Sequence, residues 1–376
     1  MKPSSERAAT SMRRRLAQFG LLFASLGICF SVGEMLARRL YPQLSSSETF
    51  HDRILGHVIN SRIHTSSAQR SYDPILGHRY PPNESFELRK PEFSLQVRTN
   101  VHGFRSPEPR PKQLGEYRVL LLGDSMLFTG VEIEELVSTQ LERRTKLASP
   151  ALPHSVYNYS TPGYNTVQEL LVAKMFHAEL AADDVVLGVF LDNDPVTNAL
   201  SGIDAQGRYQ LDDAKLRRLG DRLRHRLRWV PPSTLIRTIV DKLGAPRIRY
   251  EIALEPAAID RTVALILQIR EVVGRTGASL TVLLMPSRWA LNGPASYWLR
   301  SREYGDRLKS NLHEQGVETI DLLDLFLEDP DPDRLFYPND GHFTAQGHAE
   351  TARAIFDAVV APRLLASPDG AEESGR

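Results

Sequence analysis

The sequence is poor in cysteine and carries no excess of either charge. Cys29 is the only cysteine in 376 residues, so no disulfide bond can form within the chain. Lysine plus arginine and aspartate plus glutamate each number 46, which gives a formal net charge of zero. This balance gives no indication of nucleic acid as a general partner. No internal repeat is present, and the length allows one large domain with additions, or two domains.

One long apolar run is present, close to the N-terminus. Residues 16–36 are apolar except for Gln18 and Glu34, close to the ~20 residues that cross a bilayer as a helix. The basic tail at 1–15 outweighs the arginines after the run, which predicts a cytoplasmic N-terminus and an exported remainder. A cleaved signal peptide lacks a good cleavage site here, and a buried core helix is the other alternative. We predict an uncleaved single-pass anchor in the inner (cytoplasmic) membrane, with the remainder on its periplasmic or extracellular side.

Three further segments are assigned by composition. Residues 37–70 are polar and have too little apolar content for a core, which predicts a linker. Residues 71–116 alternate short β-like pieces with Pro, Gly and Asn breakers, which predicts an ordered lead-in packed on the main domain. Residues 366–376 are predicted to be a disordered tail.

Predicted strands and helices alternate over residues 117–365. Strands are predicted at 118–122, 156–159, 184–191, 279–285 and 317–320, and helices at 166–180, 259–273, 297–314 and 344–360. This alternation favours an α/β fold, with a parallel sheet covered by helices on both faces.

Residues 195–255 interrupt the alternation and are predicted to be an insertion. Within them, leucines recur at helical spacing among arginines in the stretch KLRRLGDRLRHRLRWV. We favour an insertion helix with a solvated arginine-rich face. The alternative is a basic amphipathic helix that touches anionic lipid or acidic polysaccharide.

The strand predicted at 118–122 is followed by Gly123, Asp124 and Ser125. Gly123 permits a tight turn and Asp124 is a favourable N-cap, which places Ser125 at the carboxyl end of the strand. Open α/β sheets bind their ligands at that edge. We predict that Ser125 is a nucleophile and that Asp124 contributes to substrate binding.

Other polar residues follow the remaining predicted strands and converge on the same edge. A serine hydroxyl needs an adjacent base, for which His342 is the candidate, and Asp340 on the same loop is the candidate to orient that base. The oxyanion formed by attack on an acyl carbonyl needs preorganised donors. We predict that these donors are the backbone N–H groups of Ser125 and Gly163 and the side-chain amide of Asn193.

Each of these residues alone also fits a plainer role, such as a helix cap, a turn glycine or a partly buried histidine. Their order along the chain and their placement at the ends of predicted strands favour one shared functional site. His348 lies six residues after His342, but we predict that it faces along the last helix, and we expect no metal and no cofactor. Arg288 and Trp289 follow the fourth strand, where they would hold a substrate carboxylate and stack on a sugar, or only pack within their loop.

Residues 117–360 resemble the SGNH, or GDSL, hydrolase superfamily, whose four blocks carry Ser, Gly, Asn and His. The blocks match here at Ser125 in GDS, Gly163 in PGYNT, Asn193 in DND and His342 in DGH. The stretch NVHGFRSPE before them also resembles a subgroup of membrane-anchored bacterial members. The resemblance implies a flavodoxin-like three-layer α/β/α sandwich with a mainly parallel five-stranded sheet, here preceded by one transmembrane helix. Asp340 departs from the pattern, since many members place the aspartate three residues before the histidine rather than two.

The resemblance also implies acyl-ester chemistry through a serine acyl-enzyme, for which three functions are considered. The first is a membrane-anchored esterase that removes acyl groups, most simply O-acetyl groups, from envelope or extracellular carbohydrate. The second is an O-acyltransferase of a secreted polysaccharide that uses the same serine. The third is a catalytically inactive scaffold, against which the presence of all four blocks argues. The expected partners are therefore an acyl-ester substrate and the membrane.

Overall fold

The computed structural model describes residues 4–44, 46–58, 70–241, 245–292 and 295–366. The sequence-based predictions also cover residues outside these ranges, namely 1–3 of the basic tail, 45 and 59–69 of the linker, 242–244 of the insertion, 293–294 of the main domain and 367–376 of the C-terminal tail. The chain divides into two compact units. The first unit comprises Met1–His57 and Arg217–Pro246, and the second comprises Val58–Leu216 and Arg247–Arg376.

The elements are numbered in chain order. The strands are β1 (Ser71–Asp73), β2 (Gly77–Arg79), β3 (Ser85–Arg89), β4 (Ser94–Arg98), β5 (Tyr117–Leu122), β6 (His154–Asn158), β7 (Asp184–Phe190), β8 (Ser201–Ile203), β9 (Tyr209–Leu211), β10 (Ser279–Met285) and β11 (Glu318–Asp321). The helices are α1 (Ser4–Leu40), α2 (Ser47–Val58), α3 (Ser125–Phe128), α4 (Val137–Ala148), α5 (Thr166–Leu180), α6 (Asp194–Leu200), α7 (Asp213–Leu227), α8 (Thr234–Ile239), α9 (Ala245–Ala253), α10 (Pro256–Gly274), α11 (Arg288–Asn292), α12 (Ala295–Glu314), α13 (Leu322–Leu327), α14 (Ala345–Ile355) and α15 (Ala361–Ala366). One π-helical segment, Phe356–Val360, joins α14 to α15.

The second unit contains a five-stranded parallel sheet with the order β6-β5-β7-β10-β11. In order along the chain these strands are numbered 2-1-3-4-5, which is the flavodoxin-like arrangement. The register places Val119 of β5 opposite Val156 of β6, and Leu120 of β5 opposite Val185 of β7. The five predicted strands and the α/β fold class are confirmed.

Both faces of the sheet are covered, because its central strands carry runs of apolar residues that point to both sides. On one face, Leu121, Val186 and Leu283 belong to a core cluster that includes residues of α4, α13 and α14. The alternate residues, such as Leu120 and Val185, are also fully buried, and α5, α10 and α12 cover that side of the sheet. Continuous apolar runs of this kind are typical of parallel strands buried on both faces. The sheet is therefore the middle layer of an α/β/α sandwich.

The lead-in predicted at 71–116 contains two antiparallel hairpins, β1–β2 and β3–β4. Leu95 and Val97 of β4 are buried and form a small core with Tyr80 and Phe128. Phe128 is the last residue of α3, so this hairpin packs directly on the segment that follows β5. The insertion predicted at 195–255 is not one unit, because its residues 217–246 belong with the N-terminal helix.

The first unit contains the apolar helix and corrects part of the predicted linker. Within α1, Gln18–Leu40 is long and apolar enough to cross a membrane, with a mean hydropathy of 1.8, and it is exposed. The linker predicted at 37–70 contains the helix α2, whose Phe50 and Ile54 are buried. These two residues are four positions apart and so share one helix face, which packs within this unit. Two apolar residues in a polar stretch were too weak a signal to predict this helix.

Gly347 of α14 offers a test of how tightly the sandwich packs around its last helix. A Cβ at this position would lie 2.2 Å from the carbonyl oxygen of Leu335, and backbone cannot move aside cheaply. We expect Gly347→Ala to lower the free energy of unfolding by about 1–3 kcal/mol through overpacking.

The matched control is Gly274→Ala, because Gly274 also lies in a helix but has no neighbour within 4 Å of the added Cβ. This control should be neutral or should stabilise by up to about 1 kcal/mol. Denaturant unfolding of the two variants checks the prediction, and equal effects at both glycines would contradict it.

Candidate active site

Ser125 is the first residue of α3, immediately after β5 and the turn at Gly123 and Asp124. Asp124 is the N-cap, and its Oδ1 accepts a hydrogen bond from the N–H of Met126 at 2.9 Å. A Cβ on Gly123 would lie 2.8 Å from Cδ1 of Leu127, so glycine lets α3 pack closely against the strand. β5 lies between β6 and β7, where the strand order reverses, and open α/β sheets bind ligands at this point.

His342 and Asp340 lie on the loop before α14, and the structure brings both to Ser125. The Nε2 atom of His342 is 2.9 Å from the Oγ atom of Ser125, and its Nδ1 atom is hydrogen-bonded to Oδ1 of Asp340. Burial raises the pKa of Asp340, but the hydrogen bond from His342 and the charges of His342 and Lys90 hold that pKa below its ordinary value. The three side chains thus form the nucleophile, base and orienting carboxylate arrangement that activates a serine hydroxyl.

The predicted oxyanion donors Gly163 and Asn193 lie in the loops after β6 and β7. The N–H of Thr161 donates to the carbonyl of Gly123 at 3.1 Å, which ties the Gly163 loop to the turn before Ser125. Gly163 has a φ of +83°, which only glycine adopts freely, and its N–H has no acceptor among the described residues. Asn193 is at the N-cap position of α6, yet its side chain makes no capping bond and instead interacts with Asp124. Their role as oxyanion donors stays a prediction.

A cluster of three fully buried carboxyl groups lies behind the nucleophile. Burial raises the pKa of Asp124 to about 6, against the lowering effects of the Met126 N–H, the His342 charge and Asn193. Burial and repulsion by neighbouring carboxylates raise the pKa values of Glu169 and Asp194 well above the ordinary range. Since neighbouring like charges disfavour joint ionisation, Glu169 and Asp194 are shifted further toward the protonated form than Asp124. The sequence analysis missed Glu169, whose helical spacing shows only that it shares a face with buried residues.

Glu92, in the turn between β3 and β4, is a second residue that the sequence analysis missed. Its Oε2 atom accepts the backbone N–H groups of Asn339 (2.9 Å) and Asp340 (2.5 Å), and its Oε1 atom accepts the Asn339 side chain at 3.1 Å. Two neighbours in the same turn also reach the loop, since Lys90 is 4.0 Å from Asp340 and the Phe93 ring packs edge-on to His342. Glu92 is separated from Asp340 by 248 positions, so no local pattern could have indicated the contact.

Side chains from other segments bind the four consecutive carbonyl groups of residues 128–131, just after Ser125. Arg105 donates to the carbonyls of Phe128 (2.8 Å) and Val131 (2.9 Å). His348 donates to Thr129, and Tyr337 donates to Gly130, each at 2.9 Å. Helix ends leave carbonyl groups without intrahelical partners, and the bond from Arg105 supplies one for Phe128, the last residue of α3. The other bonds hold the three residues after the helix.

The His348 side chain therefore has a structural role, as a hydrogen-bond donor to the backbone carbonyl of Thr129. Burial lowers the pKa of His348 to about 4, which keeps its ring neutral. Among the described residues, no group of three or more His, Cys, Asp or Glu side chains is arranged to hold a metal ion.

Arg288 and Trp289 open α11, directly after β10, but only Trp289 presents a free face. Arg288 donates to the carbonyl of Pro338 and lies 3.3 Å from a carboxylate oxygen of Asp333. With these partners the guanidinium of Arg288 holds the segment before the Asp340 loop, and its role in binding a substrate carboxylate stays a prediction. Trp289 is half exposed, and the Arg288 guanidinium lies 5.7 Å from its ring centroid.

Comparison with protein families gives one match. Residues 249–373 match the family described as "SGNH hydrolase-like domain, acetyltransferase AlgX". These residues are therefore similar to an SGNH hydrolase-like domain. The matched part of this domain includes Asp340 and His342, whereas Ser125, Gly163 and Asn193 precede it. No curated protein matches the chain in a sequence comparison.

Several solved structures are distantly similar to this chain. A lipase/acylhydrolase from Enterococcus faecalis is 12% identical, with a TM-score of 0.39 over 65% of this chain and 96% of its own. The lipase Lip_vut3 from a goat rumen metagenome is 14% identical, with a TM-score of 0.44 over 65% and 97% of the two chains. TesA is 14% identical, with a TM-score of 0.40 over 64% and 96%. Similarities this weak carry no argument about activity.

The raised pKa of Glu169 predicts how stability depends on pH. A carboxyl group whose pKa is raised on folding stabilises the protein fully below its unfolded pKa of ~4.3, and this contribution is lost as pH rises through the folded pKa. Glu169→Gln stays neutral at every pH. As pH rises from weakly acidic to alkaline values, we expect the free energy of unfolding to fall by about 1–2 kcal/mol less in the variant than in the wild type.

Urea unfolding across that pH range measures the effect. Glu179→Gln on the same helix is the control, because Glu179 is exposed and its replacement should leave the pH dependence of the wild type in place. Parallel pH curves for the wild type and Glu169→Gln would contradict the assignment of a protonated Glu169.

The contacts of Glu92 predict a loss of serine reactivity. Glu92→Ala frees the two backbone N–H groups that fix Asp340, and a loosely held orienting carboxylate should slow phosphonylation of Ser125 by a fluorophosphonate about 10–100-fold. Glu92→Gln retains one side-chain oxygen as an acceptor, so it should slow the phosphonylation of Ser125 by a smaller factor.

The matched control is Glu87→Ala in the same hairpin, since Glu87 bonds to Arg89 and Ser94 within the hairpin. If Glu92→Ala is labelled as fast as Glu87→Ala, then Glu92 does not position the loop.

Proposed function

We propose that the protein is a membrane-anchored serine enzyme that cleaves acyl esters, most simply O-acetyl esters of envelope or extracellular carbohydrate. The observation that carries the proposal is the 2.9 Å contact between Nε2 of His342 and Oγ of Ser125, with Asp340 bound to the opposite ring nitrogen. An inactive scaffold has no use for a base aligned on a serine. The family description of residues 249–373 as hydrolase-like supports the same chemistry.

The first half of the reaction forms an ester on Ser125. His342 takes the proton from Oγ as Oγ attacks the acyl carbon, and the carbonyl oxygen becomes an oxyanion. The N–H groups of Ser125 and Gly163 and the amide of Asn193 stabilise that charge, each donor being worth ~10²–10³ in rate. The alcohol then leaves with the proton held by His342, and the acyl group stays on Oγ.

The second half of the reaction removes the acyl group from Ser125. His342 takes a proton from an acceptor hydroxyl, which attacks the acyl carbon and releases Oγ with that proton. Water as acceptor gives a free acid, and a sugar hydroxyl gives a new ester. The second candidate function, O-acyltransfer to a secreted polysaccharide, is favoured by the word acetyltransferase in the matched family description.

The anchor and one aromatic side chain support the location and the substrate class. Gln18–Leu40 has the length and hydropathy of a membrane span, and the basic residues before it favour a cytoplasmic N-terminus, so the enzyme acts outside the inner membrane. Trp289 presents a half-exposed ring at the strand edge, where it offers a stacking surface for a sugar ring. Asp124 does not touch substrate in this proposal, since it is fully buried beneath Ser125.

Substitution of the three aligned residues tests the enzyme. Ser125→Ala should abolish fluorophosphonate labelling, and Ser125→Ala or His342→Ala should lower turnover of a short-chain aryl acetate by about 10⁴-fold or more. Asp340→Asn should also lower turnover strongly, by up to about 10⁴-fold, because His342 loses its orienting charge.

The control is Ser287→Ala, since Ser287 is a buried serine after β10 and its replacement should leave labelling intact. A folded wild-type protein that is not labelled by the fluorophosphonate would contradict the proposal. Released acetate identifies the esterase, whereas acetyl groups recovered on added oligosaccharide, with little hydrolysis, identify the transferase.

A further inference from the structure

The first unit packs a second segment against the C-terminal part of the apolar helix α1. The Glu34 carboxylate accepts hydrogen bonds from Oγ of Ser233 (2.7 Å), from the N–H of Thr234 (3.0 Å) and from the N–H of Leu235 (2.9 Å). A Cβ on Gly33 would lie 3.0 Å from Cδ2 of Leu235, so the Leu235 side chain packs directly on Gly33. Helix α8 therefore begins directly on residues 33–34 of α1.

This contact fixes the depth of α8 relative to a bilayer that α1 enters. A carboxylate with backbone and hydroxyl donors around it is excluded from hydrocarbon, and Arg38 adds a guanidinium to Glu34 at 2.8 Å. The apolar stretch from residue 16 to Gly33 extends about 27 Å as a helix, close to the ~30 Å thickness of the hydrocarbon core. Glu34 and the start of α8 thus lie at the level of the lipid headgroups.

Trp229 lies four residues before Ser233, within about 14 Å of chain from the contact with Glu34. Its side chain is 80% exposed, which is unusual for so large an aromatic ring on a surface in water. Tryptophan is enriched at membrane–water interfaces, where its ring meets the headgroups. The Arg228 guanidinium lies 5.1 Å from the centroid of that ring.

The residues just before Trp229 present a dense positive surface. On α7 the leucines at 219, 223 and 227 are buried, so the outward face of residues 217–228 carries the charged side chains. The exposed arginines of this face are Arg217, Arg218, Arg222, Arg224, Arg226 and Arg228. Asp221 is its only acidic residue, which leaves a formal charge of six minus one, or +5. Because its leucines are already buried, the helix does not insert into lipid as an amphipathic helix does.

We propose that the arginine face of residues 217–228, together with Trp229, binds the phosphate headgroups of the membrane that α1 enters. The positive face is complementary in charge to anionic lipid, and the Glu34 contact places it at the level of the headgroups. Both observations favour lipid phosphate over a soluble acidic polymer as the binding partner. The arginines bind phosphate oxygens, and Trp229 supplies the apolar contact. The inference rests on the anchor in the proposed function, but it is independent of the chemistry at Ser125.

The test uses the full chain with Trp289→Phe and Trp298→Phe, which leaves Trp229 as the sole tryptophan of three. The protein is reconstituted into phosphatidylcholine vesicles with and without phosphatidylglycerol, each containing a dibrominated lipid that quenches nearby tryptophan. We expect at least about twofold quenching of Trp229 in the anionic vesicles, with less in neutral vesicles or at high salt. Arg217→Gln, Arg218→Gln and Arg222→Gln combined should remove most of the added quenching.

The matched control is Arg275→Gln, Arg307→Gln and Arg353→Gln combined, since these arginines are exposed and ion-paired outside the 217–228 face. This control should be quenched like the parent. Flotation with the vesicles checks the anchor separately. A protein that floats with the vesicles while Trp229 stays unquenched would overturn the proposed lipid contact of residues 217–229 but not the anchor. Protection of Trp229 from acrylamide by polygalacturonate, without quenching by brominated lipid, would also overturn the proposal and assign the face to an acidic polysaccharide.

Discussion

The candidate site depends on four consecutive carbonyl groups, at residues 128–131, whose hydrogen-bond donors all come from elsewhere in the chain. Arg105 of the lead-in binds the first and the last of them, and Tyr337 and His348, on either side of the histidine loop, bind the two between. One set of bonds therefore ties the segment after Ser125 to the loop that holds its base. Because unpaired buried carbonyls are costly, a displacement of any of the three segments is opposed by the other two.

Carboxyl groups at the site are divided by environment into two kinds. Asp340 is kept ionised by its bond to His342, and its backbone is held by Glu92 from the lead-in. Asp124 and Glu169, fully buried behind the serine, are pushed toward the protonated form. Opposite pKa shifts in neighbouring carboxyl groups are the pattern by which one site gives similar groups different protonation states.

The sequence predicted those features that local patterns determine. Apolar runs identified the five strands, and the residues after them identified Ser125 and His342, because parallel strands bring their carboxyl ends to one edge. Contacts between distant segments could not be predicted, because neither the contact of Glu92 with the Asp340 loop nor the partners of Arg288 at Pro338 and Asp333 leave a local signal in the sequence. Helix α2 was missed because its stability comes from burial of an apolar face rather than from its own composition.

The 217 positions between Ser125 and His342 have a consequence for synthesis. At roughly 5–20 residues per second, the ribosome needs about 10–45 s to proceed from the serine to the histidine, and the helix α14 that supports the loop follows later still. During that interval the nascent chain carries a serine without its base. The site proposed for acyl chemistry therefore cannot assemble until the loop that carries His342 has been made.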